Sequence, residues 1–299
     1  MSSVYSHKDS NIRRTWMMFV CFFLVVIGIG WTFSYVYNSF AILIFAVVFS
    51  SFMSIFSYWF SDKIVLSMAK AQPVEMASHP ELYRIVENLS ITAGLPMPKV
   101  YIVPEAAPNA FATGRDPKHA VVAVTEGLLS RLDRTELEGV IAHELSHIGN
   151  RDMLVGTMAV VLVGFISLLA DIFMRSMWFG GMRRRSDNAG GSYLFIIGIV
   201  LSILAPIAAT LIRLAISRRR ESLADASGAL LTRYPQGLAS ALRKIADDTT
   251  PMRFANNTTS HLWLEDPFHD QKKTPIFHKL FMSHPPTEDR IKALHEMSL

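Results

Sequence analysis

The stretch TELEGVIAHELSHIG, from Thr135 to Gly149, decides how the rest of the chain is read. Leu137, Val140, Ile141, Leu145 and Ile148 recur at the spacing of one helical face, and Thr135 with Glu138 forms a candidate capping box at its start. The helix is expected to end near Gly149-Asn150. His143 and His147 stand four residues apart, so both imidazoles leave the helix on one side about one turn apart and can share one Zn²⁺. Glu144 sits beside them, placed to act as a base toward water at the metal. Two surface histidines on an amphipathic helix would be the bland alternative. The separate apolar stripe on the same helix is the context that favours the metal reading.

Catalytic zinc takes three protein ligands and keeps one position open. A histidine six residues beyond His147 would be residue 153, which is Met153, and the glycine that the metzincin pattern requires is Asn150, so that class is excluded. The other common solution is a glutamate from a later helix. The Ala-rich segment RESLADA, Arg220 to Ala226, supplies Glu221 and, one turn on, Asp225. Glu221 is then the third ligand, and Asp225 accepts the N–H of a ligand histidine, expected to be His143, which sets its tautomer. Alone, this acidic pair would more often be a solvated helix face. Its order after H-E-x-x-H resembles the gluzincin arrangement.

The chain surrounding these motifs is that of a membrane protein. Of its 299 residues 51% are hydrophobic and only 18% charged, which leans away from an ordinary soluble enzyme. Thr15 to Ser61 contains no Asp, Glu, Lys or Arg, long enough for two crossings joined by a hairpin around Tyr37-Asn38-Ser39. A cleavable signal would have a short apolar region and a small-residue cleavage site, which does not fit. His7, Lys8, Arg13 and Arg14 precede the first span, and Lys63 and Lys70 follow the second, so both flanks are expected in the cytoplasm. The single cysteine, Cys21, makes no intramolecular disulfide, consistent with that side. A net charge of +4 and a pI near 9.2 raise nucleic acid as a partner. The Arg runs flank apolar spans rather than interleaving with aromatics, and read as membrane-surface anchors instead.

Further on, Pro80 to Gly94 reads as a helix, and Lys99–Val103 and Ala120–Val124 as short strands framing Pro108 to Gly114. Two more apolar segments, Leu154–Ala170 and Asn188–Ile212, flank a loop with Arg183-Arg184-Arg185. They either cross the bilayer, against the charge rule, or form a hairpin inside the protein or dipping into the membrane. In both cases the chain returns to the side it left. The expected organisation is an N-terminal transmembrane hairpin (1–61), the first part of a protease domain (62–152), a second apolar pair (153–212) and the rest of the protease domain (213–299). The fold class is mainly α and integral to the membrane: a gluzincin-like metalloprotease domain with a small β-sheet on four apolar helical segments.

Asn109-Ala-Phe-Ala-Thr-Gly114, Ile141-Ala-His-Glu-Leu-Ser-His147, Arg219-Arg-Glu-Ser-Leu-Ala-Asp225 and Ser283-His-Pro-Pro286 with Arg290 together resemble the HtpX family. These are integral-membrane zinc proteases related to the CAAX prenyl protease, and the resemblance covers essentially the whole chain. It implies His143, His147 and Glu221 as ligands of one Zn²⁺ per chain and Glu144 as the catalytic base, the same four residues the spacing nominates. It also implies that Asn109 and the strand Val121 to Val124 lie along the substrate cleft. His284, ahead of two prolines, is expected to approach the active site and help stabilise the oxyanion, and Arg290 to have a structural partner. The expected substrates are membrane proteins or their cytosolic loops, cleaved in quality control or stress response. The expected location is the plasma (bacterial inner) membrane, multi-pass, with the active site cytoplasmic. An intramembrane protease of the site-2 type fits less well, because Glu136, Glu138, Arg151 and Asp152 flank the motif and no Asp-Gly pair is present. A membrane scaffold with a degenerate site would lack one of the four chemical residues, and none is missing.

Overall fold

The computed structural model describes residues 4–36, 38–180, 218–254, 259–265, 267 and 285–297. The uncharged N-terminal stretch forms two long helices, α1 (Val4–Val36) and α2 (Phe40–Met68), turning at Asn38 with φ 48°. Within them Asn11–Trp31 and Phe40–Met68 are long and apolar enough to cross a membrane, with mean hydropathy 1.9 and 2.3. The residues that α2 buries are small or follow the loss of the apolar run: Ala46, Ser50, Ser57, Ser61, then Val65 and Leu66. Small residues let helix backbones approach where lipid offers no hydrophobic drive. A side chain at Gly30 of α1 would collide with Ala46. The hydroxyls of Ser50, Ser51, Ser54 and Ser57 are satisfied within α2, Ser54 donating to the Ser50 carbonyl at 2.8 Å and Ser51 to that of Val47 at 2.8 Å. The outward faces carry Trp16, Trp31, Phe45, Val48 and Ile55, all exposed. α2 continues through Asp62 and Lys63, so the expected boundary at residue 61 falls inside a helix.

Four strands follow, β1 (Gln72–Pro73), β2 (Lys99–Val103), β3 (Ala110–Gly114) and β4 (Ala120–Thr125), in the order β1-β2-β4-β3. β2 and β4 are parallel, and β3 runs antiparallel to β4. β4 is buried at every position, as a central strand covered on both faces must be. Val122 and Val124 face the helical core, while Val121 and Ala123 pack with Val65, Phe111 and Trp263 under the end of α2. β4 is flanked by β2 and β3, so its backbone groups are consumed on both sides and it is no edge strand; the edge on that side of the sheet is β3.

α3 (Pro80–Ala93), α4 (Glu126–Arg131), α5 (Arg134–Gly149), α6 (Asp152–Gly180), α7 (Arg218–Thr232), α8 (Pro235–Ala246) and α9 (Thr287–His295) complete the described helices. α5 is capped by Asp133 rather than Thr135. The Asp133 carboxylate accepts from Glu136 N–H at 2.9 Å, and Glu136 returns a bond to Asp133 N–H at 2.9 Å. The Thr135 hydroxyl donates to the Asp133 carboxylate at 2.7 Å, and Glu138 pairs with Arg134 at 3.0 Å. Such a cap contributes about 1 kcal/mol. The expected segment Leu154–Ala170 lies within α6, which leaves α5 at 82° through Arg151, held at φ 58°. Met153 to Val163 are buried throughout, with Leu154, Val155, Met158 and Leu162 packing on Met18 and Phe22 of α1. The second expected apolar segment, Asn188–Ile212, and the Arg183–Arg185 loop lie outside the described residues.

Candidate active site

α5 presents His143 and His147 on one side, as the i, i+4 spacing requires, and their Nε2 atoms are 3.1 Å apart. α7 crosses that side and delivers Glu221. Its carboxylate oxygens lie 3.7 Å from His143 Nε2 and 3.6 Å from His147 Nε2. One donor atom from each of the three residues falls within 4.8 Å of the others, so the group can hold a metal ion. The donor set suits a borderline divalent cation: two imidazole nitrogens and a carboxylate, with a fourth side open. They line a cavity of about 50 Å³ together with Glu144, Asp152, Ala112 and His261. Glu144 is itself buried.

The approach of α7 depends on Gly228. A Cβ there would lie 2.9 Å from His143 N and 3.1 Å from its Cα. Gly228→Ala is therefore expected to push α7 away from α5 and to destabilise the protein by about 1–3 kcal/mol, as overpacking does. Thermal unfolding of the detergent-solubilised variant measures this, and an unchanged melting temperature would refute it.

Each histidine is backed by a carboxylate on its other ring nitrogen. Asp225 Oδ1 lies 2.9 Å from His143 Nδ1, and Asp152 Oδ2 lies 3.2 Å from His147 Nδ1. Such partners fix the tautomer, leaving Nε2 free to act as a donor to a cation. The Asp225 partnership with His143 was legible from the sequence; that of Asp152 with His147 was not. Asp152 is five residues from His147 across a sharp corner, and only the left-handed Arg151 turns it back.

Both carboxylates are held in turn. Arg290 of α9 clamps Asp225 through two bonds, Nε at 2.9 Å and Nη2 at 2.8 Å, and its Nη1 donates to the Leu264 carbonyl at 3.2 Å. This is the structural partner expected for Arg290. Asp152 accepts from Asn11 Nδ2 at 2.6 Å, and the same amide group lies 3.1 Å from the Asn150 carbonyl. Arg220 Nε stands 3.5 Å from Asp152 and Arg220 Nη1 donates to Asn11 Oδ1 at 3.4 Å. The first membrane helix thus reaches directly into the support of the second histidine. No sequence signal marks Asn11, because these partners lie 139 to 209 residues away.

The electrostatics favour positive charge at this point. Burial pulls the His147 imidazolium down, but the carboxylates of Glu221, Asp152 and Glu144 outweigh it and hold its proton up to about 9. Asp225 shows the opposite balance: burial raises its carboxyl, and Arg290 with His143 holds it well below the usual range.

Asn109 does not line the cavity. It is buried, with Nδ2 donating to the Glu265 carbonyl at 2.9 Å and Oδ1 accepting from Glu265 N–H at 3.2 Å, so it pins that segment at the start of β3. Leu264 N–H continues the pairing to the Ala110 carbonyl at 2.9 Å. The Trp263–Leu264 segment thereby forms one wall beside the three donors. His284 lies outside the described residues. A third histidine lining the cavity is His261, whose Nε2 is 3.1 Å from the Gly156 carbonyl; nothing in its sequence surroundings singles it out.

A small mixed sheet, a helix bearing H-E-x-x-H, a glutamate from a crossing helix and an apolar hairpin define a membrane-associated protease of metallopeptidase type. The chain belongs to peptidase family M48, whose family model matches residues 76–298. Over 99% of both chains it is 45% identical to "Protease HtpX homolog" of Caldanaerobacter subterraneus subsp. tengcongensis, and over 96% of both it is 48% identical to that of Pyrococcus furiosus. Its fold is similar to that of S. mikatae Ste24p, with a TM-score of 0.50 at 19% identity, covering 89% of this chain and 62% of that one.

Proposed function

We propose that this chain is a zinc-dependent endopeptidase, multi-pass in the plasma (bacterial inner) membrane, with its active site on the cytoplasmic side. The observation that carries the reading is the convergence of His143, His147 and Glu221 beside Glu144. In it His143, His147 and Glu221 hold one zinc, and Asp225 and Asp152 orient the two imidazoles. Zinc, when bound, supplies a Lewis acid for the scissile carbonyl and for water. Glu144 takes the proton as water attacks the peptide carbonyl carbon, and delivers it to the amine as the C–N bond breaks. β3 is the edge strand on this side of the sheet, and beyond the Ala110 carbonyl that Leu264 takes, its outer edge, with Ala112 in the cavity wall, can pair with an extended substrate. The segment pinned by Asn109 bounds that groove.

The substrates in this reading are membrane proteins or their cytosolic loops, handled in quality control or stress response. Support comes from the short path between membrane and site: Asn11 of the first span touches Asp152. The cytoplasmic side is supported by the cations flanking both spans. The test is metal analysis of the full chain purified in detergent without chelator. About one zinc per chain is expected, falling to near zero in Glu221→Ala, since catalytic sites require three protein ligands. A folded wild-type protein that takes up no zinc would overturn the proposal.

A further inference from the structure

A second cavity of about 460 Å³ is lined by the membrane hairpin, the loop that follows β3 and the α5–α6 corner. Its walls are apolar and aromatic: Trp16 and Phe19 from α1, and Ile55, Tyr58 and Trp59 from α2. Trp16, Ile55 and Trp59 are 66%, 62% and 52% exposed, so the cavity is continuous with the outward faces of the two candidate spans. Trp16 lies at the start of the uncharged run Thr15–Ser61 and Tyr58 and Trp59 at its end, which in an antiparallel hairpin face the same side of the membrane. Tryptophan and tyrosine gathered at one end of a span mark the membrane interface.

The mouth of this cavity carries two guanidinium groups. Arg115 lies 4.6 Å over the Trp59 ring, with Nη1 3.5 Å from the Trp59 carbonyl. Arg151 lines the same cavity from the corner between α5 and α6, at φ 58°. A long side chain is unfavourable at a left-handed position, where glycine or asparagine is the default. The one carboxylate in the lining, Asp116, sits 3.6 Å from Arg115 Nε and is already shared with the His119 ring at 2.9 Å and the backbone N–H groups of Lys118 and His119 at 2.8 and 3.1 Å. Two cations against one engaged anion leave the mouth positive beside an apolar slot.

We propose that this cavity binds an anionic phospholipid of the cytoplasmic leaflet, its acyl chain along Phe19, Ile55 and Tyr58 and its headgroup phosphate between Arg115 and Arg151. An amphiphile is the occupant because the slot is apolar and opens onto lipid-facing surface. It is anionic because guanidinium recognises phosphate and the surplus charge is positive. The corner that carries Arg151 also carries Asn150 and Asp152, so a headgroup held there bears on the segment from which Asp152 reaches His147.

The test uses the full chain in detergent, stripped of lipid and titrated with dioleoylphosphatidylglycerol or dioleoylphosphatidylcholine, with bound lipid counted by native mass spectrometry. At roughly fivefold in affinity per guanidinium near a membrane surface, phosphatidylglycerol is expected to bind roughly twentyfold or more tightly than phosphatidylcholine. Arg151→Asn, which tolerates the left-handed backbone, and Arg115→Gln are each expected to lose about fivefold of that preference. Should Arg115→Gln fail to fold, Arg151→Asn decides alone. Equal affinity for the two lipids, an unchanged preference in Arg151→Asn, or displacement of bound lipid by millimolar inorganic phosphate would each overturn the proposal, the last by making this a free-anion site. The readout is lipid bound rather than peptide cleaved, so it stands apart from the proposed zinc-protease activity.

Discussion

Glu144→Gln is expected to hold as much zinc as the wild type and to lose peptide cleavage by at least about 10²–10⁴-fold, the range that a positioned general base contributes. The amide is nearly isosteric with the carboxylate and keeps the buried position beside His143, but cannot take a proton from water. Glu144 is not one of the three converging donors, which is why metal content and turnover separate in this variant. Casein hydrolysis and zinc content, measured on the same purified sample, check it. If turnover persists at the wild-type rate, the base lies elsewhere; if zinc is lost with turnover, Glu144 belongs to the metal-holding set.

The second large effect is predicted far along the chain. Arg290→Met should destabilise the protein by about 3–5 kcal/mol, because it removes one partner from a buried ion pair and strands the Asp225 carboxylate. Both residues are buried, and Arg290 also holds the Leu264 carbonyl beside the cavity. Arg290→Lys should recover only part of the loss, since an ammonium cannot reproduce the two-pronged contact. The pair also predicts a pH dependence. The folded-state carboxyl of Asp225 titrates below its ordinary 3.8. Its contribution is therefore fully present above that value and is lost as pH falls from there toward the lower folded value. Melting temperatures of wild type and Arg290→Met should converge across that acid range. A difference that stays constant as pH falls would show that Arg290 acts by packing rather than through Asp225.

Much of this protein was legible because its signals are local. An uncharged run from Thr15 to Ser61 has few stable alternatives to membrane helices, and the structure places α1 and α2 there. The i, i+4 spacing of His143 and His147 decides that they share a side of α5 whatever that helix packs against. Glu221 and Asp225, one turn apart on α7, arrive together at the two donors by the same rule. The strand Ala120–Val124 was equally legible, but its neighbours were not: register and edge position follow from which strands find one another, and the short β3 beside it carried no alternation to announce it.

What the tertiary structure alone decided are the contacts between distant segments. Asp133 rather than Thr135 caps α5, with the Thr135 hydroxyl donating to the Asp133 carboxylate, a choice that two neighbouring capping residues do not reveal in sequence. Asp152 became the partner of His147 because Arg151 adopts a left-handed backbone that turns the chain by 82°. Asn11, Asp152 and Arg220 meet across three separate parts of the chain, as do His143, Asp225 and Arg290. Sequence determines helical faces and apolar length because these depend on rise and periodicity. The supports of the two histidines depend on how the helices cross, which is set by close approaches such as Gly228 on His143 and only exists once the whole molecule has packed.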